Sequence, residues 1–175
     1  ITISMDEDEV GEMRYQDPAA HEQMVEKIIE SIKKNWVRVI LIIIILAFGI
    51  IPAVQLHPYE YAYYNTFAGG VGGAFRQYET EYWLTCYREA VVSLNEEAGA
   101  GTQLFVRREP YIAAYYANPN ITIRDFRTEE KDMRPGDFYL VNTRSNEDLK
   151  FLRDQPAFIK VSRQGANFCL IKQVP

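Results

Sequence analysis

Residues 37–56 form an apolar run in which Arg38 is the only charged side chain, and no further charge follows until Glu60. About 20 predominantly apolar residues suffice to cross the hydrocarbon core of a bilayer. A core helix of a soluble domain shows a polar face at 3.6-residue spacing, and residues 39–54 have none. The run predicts a single transmembrane helix, so any function must be compatible with attachment to a lipid surface. It begins too late and runs too long for a cleaved secretory leader, and no small-residue cleavage site follows it. It is expected to persist as an anchor.

The flanks predict an orientation. Lys27, Lys33, Lys34 and Arg38 precede the run closely, and no Lys or Arg follows until Arg76. The positive-inside rule then puts the N-terminus in the cytoplasm and the C-terminal part outside, in a single-pass topology. Trp36 on one side and Tyr59, Tyr61, Tyr63 and Tyr64 on the other suit the two headgroup layers.

The net charge of −5 resides in residues 1–17, where six acids face Arg14 alone; the remainder balances at 18 acids and 18 bases. With no basic stripe, nucleic acid is not an expected partner. Residues 1–16 lack periodicity and read as an acidic, flexible tail. Asp17-Pro18 reads as an N-cap with proline at the first helical position. From there Met24, Val25, Ile28, Ile29, Ile32 and Trp36 trace one apolar stripe opposite Glu22, Lys27, Glu30 and Lys34. Residues 17–36 are thus an amphipathic helix that lies on the membrane or against a neighbour, or else simply extends the transmembrane helix. Expected partners are the bilayer and other membrane subunits, met through Ile28, Ile32, Trp36 and the span itself.

Beyond a tyrosine- and glycine-rich connector at 57–77, residues 78–175 read as an outer α/β domain. A helix is expected over 80–97, burying Trp83, Tyr87, Ala90, Val91 and Leu94 on one face and ended by Gly99 and Gly101. Strands are expected at 103–106, 121–126 and 138–141, with short helices at 110–117 and from Ser145 to near Leu152. Residues 157–162 and 167–172 flank a hairpin turn, with Phe158 and Phe168 counted as core. Alternating strands and helices predict a three-layer-like domain whose sheet is mainly parallel, closed by that C-terminal hairpin.

No constellation carries chemistry. Gly69, Gly70, Gly72 and Gly73 lack the lysine and the preceding strand of a phosphate loop, and read as a flexible or tightly turned connector. Ser93, Ser145 and Ser162 lack a nucleophile-elbow context. His21 and His57 are predicted on opposite sides of the membrane. Two histidines and two separated cysteines offer no metal or cofactor ligand set, so none is expected. Cys86 and Cys169 can form at most one disulfide; their simplest reading is two buried small hydrophobes. Arg107-Arg108 is expected to serve surface salt bridges, and Glu60 and Glu81 to be solvated or hydrogen-bonded rather than an acid/base pair.

Several segments do match a pattern. His57-Pro-Tyr-Glu-Tyr61, Tyr64-Asn65, Gly69-Gly-Val-Gly-Gly-Ala74, Glu81-Tyr-Trp83, Tyr87-Arg-Glu-Ala90 and Asp137-Phe-Tyr-Leu-Val-Asn142-Thr-Arg-Ser-Asn146 stand in order along the chain. Together they resemble the region after the last membrane helix in bacterial multi-span glycosyltransferases related to dolichyl-phosphate-mannose–protein mannosyltransferase, enzymes that use lipid-linked sugars. The resemblance covers about residues 40–175. In that family the catalytic acid lies in the first external loop, outside the resembling region, so the resemblance implies an outer domain and no catalytic residue.

Two functions lead the expectations, ahead of a membrane-anchored module that binds an external ligand such as a glycan or peptide. One is a non-catalytic, single-span accessory subunit of a larger membrane complex, an energy-transducing or respiratory complex being one candidate home, with a glycosyltransferase-tail-like outer domain. The other is the C-terminal part of a lipid-linked-sugar glycosyltransferase whose catalytic loops lie on other spans. On either reading the isolated chain is not expected to turn over substrate.

Overall fold

The structure, a computed structural model, describes residues 18–175; the acidic segment 1–16 and the N-cap expected at Asp17 lie outside the described residues. The chain divides into two units, one ending at Ile50 and one running from Ile51 to Pro175.

In the first unit, helix α1 spans Pro18–Lys34 and helix α2 begins at Trp36. Asn35 between them donates its backbone N–H to the carbonyls of Ser31 and Ile32, and its own carbonyl accepts from Val39. Helical hydrogen bonding therefore continues across the joint. The expected apolar stripe is present and uncovered, with Ile28, Ile32 and Trp36 all exposed. Helix α2, Trp36–Leu56, is the one described helix long and apolar enough to cross a membrane, with a mean hydropathy of 2.9. Its 21 residues extend about 31 Å at 1.5 Å each, matching a hydrocarbon core of about 30 Å. Burial inside a soluble core would also tolerate such a sequence, but only 6 % of the apolar window is buried.

The second unit is α/β. Its elements are the last turns of α2, the short helix α3 (Gly70–Ala74), α4 (Cys86–Glu97), β1 (Thr102–Val106), α5 (Pro110–Tyr116), β2 (Ile121–Asp125), α6 (Phe126–Glu129), β3 (Phe138–Asn142), β4 (Ala157–Arg163) and β5 (Ala166–Gln173). The strands form one sheet in the order β2-β1-β3-β5-β4. Here the expectation of a mainly parallel sheet is corrected. The β2–β1 and β1–β3 pairs are parallel, but β5 joins β3 antiparallel and β4 joins β5 antiparallel, so the sheet is mixed. The hairpin docks through its second strand and contributes two antiparallel ladders, rather than one closing pair at the edge.

Alternation along the strands covers both faces of the sheet. Leu104, Val106, Leu140 and Ile171 point toward Tyr87, Ala90, Val91 and Leu94 of α4 and Ala113 of α5. Phe105, Tyr139, Val141 and Leu170 point the other way, against Phe126, Phe151 and Leu152. Residues 57–77 are part of the first core rather than a loose link, because Leu56, Tyr59, Ala62 and Val71 are all buried in it. Tyr59 is accordingly a core residue and not a headgroup anchor. The glycines are there for tight turning: Gly69 takes φ 78°, and a Cβ on Gly73 would stand 2.3 Å from the carbonyl oxygen of Ala68.

Two side chains expected in the core lie outside it. Helix α4 begins at Cys86, not near Thr80, because Leu84 adopts a left-handed φ of 61° that ends any helical path through 80–85. Trp83 thus sits on the preceding turn and is 70 % exposed. Phe158 is the extra residue where the β4–β5 register slips between Ala157 and Ile159. A bulge of this kind re-aims its side chain, and Phe158 is 46 % exposed.

Cys86 and Cys169 are joined in a disulfide that ties the start of α4 to β5 across 83 residues, with Cα atoms 5.8 Å apart. They are buried, as expected of small hydrophobes, but they are a crosslink. Sequence alternation carried no information on this, since pairing depends on how α4 is laid over β5.

Candidate functional site

The turn after His57-Pro58 brings several separated segments to the head of α4. A 3-10 turn at Glu60–Ala62 sends Tyr59 inward, where its ring packs 4.7 Å from that of Phe168. Its hydroxyl donates to Glu89 Oε2 at 2.9 Å, and Arg163 donates to both Glu89 oxygens at 3.2 and 2.8 Å. Burial, reinforced by the Glu89 carboxylate, pushes the Tyr59 phenol well above its ordinary range. Tyr61 donates to Glu81 through its hydroxyl, and Glu81 Oε1 accepts the backbone N–H of Thr85 at 3.1 Å. Asn142, at the end of β3, donates to the carbonyl oxygen of Glu81 at 3.2 Å.

Glu81 is fully buried. Burial raises its carboxyl above the ordinary value, although the Tyr61 hydroxyl and the amides at the start of α4 pull the other way. Sealed from solvent, it ties the turn before α4 together through those donors. Glu60 lies on the surface and takes its partner from His57, Nδ1 to Oε1 at 2.6 Å. The two carboxylates have separate partners, and no hydrogen bond joins them into an acid/base pair.

A polar cleft of about 200 Å³ is lined by residues 75–80, Thr143, Ser145 and Asn146. Three of its residues, Arg76, Ser145 and Asn146, hold left-handed φ values of 68°, 53° and 54° without being glycine. Such residues cost about 1–3 kcal/mol each and persist only where surroundings over-determine them. The surroundings here are charged. Arg76 grips Asp148 with both terminal nitrogens, at 3.1 and 2.6 Å, and also donates to Asn146 Oδ1 at 2.8 Å. The backbone N–H of Ser145 donates to Glu79 Oε1 at 3.2 Å, and the Arg144 guanidinium lies 3.8 Å over the Tyr82 ring. Behind them, the buried Lys172 donates to the carbonyl oxygens of Asp148 and Leu152; burial lowers the affinity of its amine for a proton.

The cleft presents amide, hydroxyl and guanidinium groups beside the exposed ring of Tyr78, which stacks 5.7 Å from Tyr64. This is a surface for hydrogen-bonding and stacking, with Ser145 meeting a carboxylate only through its backbone. Among the described residues no group of three His, Cys, Asp or Glu could hold a metal. The other residues weighed from sequence are dispersed. Arg107 and Arg108 both pair with Glu147, at 2.8 and 3.3 Å, as surface ion pairs do, although Glu147 itself is buried. Ser93 and Ser162 sit on α4 and β4, away from the cleft lining, and His21 lies on α1. The cleft itself carried no sequence signal beyond Asn146, a residue type that tolerates the left-handed region. Compared with protein-family models, curated proteins and solved structures, the chain matches none.

Proposed function

We propose that this chain is a single-span accessory module of a larger membrane assembly, anchored by α2 with its α/β unit outside the cytoplasm. The observation that carries the reading is an uncovered apolar helix on the same chain as a disulfide-linked domain. Structural disulfides persist in oxidising compartments, and the Lys/Arg excess before α2 favours the same side for the domain. The exposed stripe of Ile28, Ile32 and Trp36, running toward a helix apolar all round, is surface that neighbouring membrane subunits would cover. An energy-transducing or respiratory complex is one home consistent with such a subunit.

A second reading, the C-terminal part of a lipid-linked-sugar glycosyltransferase, is favoured by a specific convergence. Tyr59, Tyr61, Glu81, Glu89 and Asn142 belong to separate segments of the glycosyltransferase-like pattern, yet they form two neighbouring hydrogen-bonded sets, Tyr59 with Glu89 and Tyr61 with Glu81 and Asn142, whose tyrosine rings lie 6.4 Å apart. On this reading the polar cleft is a sugar-handling surface, and the catalytic acid is supplied by other spans. The two readings part in one experiment. The chain is extracted from native membranes in mild detergent, sized, and assayed with polyprenyl-phosphate sugars. A multi-chain particle without transfer activity supports the accessory module, and an active particle supports the second reading. A monomer, or turnover by the purified chain alone, overturns the accessory-module reading.

A further inference from the structure

We propose that a groove at the root of the outer unit is a headgroup site for an anionic phospholipid, with Arg88 taking the phosphate. The proposal rests on the reading of α2 as a membrane span. The groove holds about 340 Å³ and is lined by Pro58, Tyr59, Thr85, Arg88, Glu89 and Val92. Pro58 follows Leu56, the last residue of α2, by two positions, so the groove begins within about 7 Å of chain from the end of the apolar helix. A span that ends at Leu56 brings this groove to headgroup depth.

Its chemistry is two-sided. Pro58 and the half-exposed Val92 make apolar walls, with the buried Tyr59 behind them. Arg88 is exposed, and among the described residues no carboxylate lies within ion-pair distance of it. The neighbouring acid does not neutralise it, because both oxygens of Glu89 are taken by Arg163 and one also by Tyr59. That triad leaves one uncompensated guanidinium at the rim, next to Thr85. Val92 lies one helical turn beyond Arg88 on α4, so cation and apolar wall share a helix face. An apolar wall beside an uncompensated, exposed guanidinium complements the glycerol and phosphate of a membrane lipid. A free phosphate would find one open, solvent-screened charge, whereas a lipid arrives with its acyl chains already held beside α2.

The test uses the full chain in nanodiscs of phosphatidylcholine with phosphatidylglycerol, followed by gentle release and mass measurement of retained lipid. The wild-type chain is expected to retain phosphatidylglycerol about five-fold over phosphatidylcholine, the preference expected of one basic residue at an anionic surface. Arg88→Gln should abolish the preference and Arg88→Lys should keep most of it. Inorganic phosphate should not displace the lipid. Equal retention by the wild type and Arg88→Gln overturns the site, as does displacement by inorganic phosphate, which would make it a free-anion site. Vesicle flotation, run in parallel, separates the two claims: a wild-type chain that floats normally but shows no preference refutes the groove alone, and a wild-type chain that fails to float refutes both the span and the groove.

Discussion

Opening the Cys86–Cys169 bond should cost this protein a large part of its stability, and the size of the loss follows from where the bond sits. The crosslink closes a loop of 83 residues, for which the chain-entropy relation gives about 4.5 kcal/mol of destabilisation when the unfolded chain is released. A domain is stable by only about 5–15 kcal/mol, so this is a decisive fraction. The loop is also the domain: it contains α4, β1, α5, β2, β3 and β4, and most of β5's pairing partners. For a unit of about 125 residues, unfolding entropy near 2.1 cal/mol/K per residue converts the loss into a fall in Tm of roughly 17 °C. The assay is thermal unfolding of the full chain in detergent, followed by near-UV circular dichroism of the buried Tyr59, Tyr87 and Tyr139, with and without reductant. Cys86→Ala/Cys169→Ala gives a second arm in which the bond is absent but two small cavities are added. Reductant and double variant should both lower Tm, the variant slightly more. A reductant-induced fall below about 4 °C, equivalent to about 1 kcal/mol, would refute the entropic argument. It would mean that α4 and β5 are held together equally well by packing in the absence of the bond.

Three further outcomes follow from individual side chains. Trp83→Ala should change stability by less than about 0.5 kcal/mol, as exposed sites do, whereas Tyr87→Ala, one turn later and fully buried, should cost about 3–5 kcal/mol; comparable losses in denaturant unfolding would contradict the start of α4 at Cys86. Gly73→Ala should destabilise by at least about 1–3 kcal/mol, because its Cβ meets the Ala68 carbonyl at 2.3 Å, while Gly99→Ala, with nothing within 4 Å, should be close to neutral. The pH dependence should have two opposed parts. Glu81 binds its proton more tightly in the folded state, so its contribution is full below the ordinary value of 4.5 and is lost as pH rises through its raised folded value. For Glu147, burial works to raise the carboxyl but the hydrogen bonds from Lys150 and Arg107 outweigh it. Its net-lowered value gives stability above 4.5 that is lost as pH falls. Glu81→Gln should flatten the decline of Tm above pH 4.5, and Glu147→Gln the acid-side decline; an unchanged slope in either variant would remove that group from the account.

Local and compositional features were readable from the chain alone. Twenty residues with one charge can only bury themselves in lipid or in protein, so α2 was legible from hydropathy alone. The short apolar run of β3, the hairpin around Gly165 and the Gly-rich end of α4 were legible for a similar reason, since period and turn chemistry act within a few residues. Tertiary structure decided whatever depends on distant neighbours. Nothing near Trp83 or Phe158 announces that a left-handed Leu84 and a slipped register turn them outward. The mainly parallel expectation failed because the hairpin also joins β3 antiparallel through β5, and alternation within a strand does not specify which neighbour it takes. The 57–77 segment looked like a link because glycine and tyrosine are common in links, but Gly69, Gly72 and Gly73 let backbone pass close to backbone and Tyr59 packs against Phe168. The cleft is the furthest from legible. Its walls come from positions some 70 residues apart, and the Arg76–Asp148 pair that holds them exists only once the sheet has brought β3 beside the turn before α4.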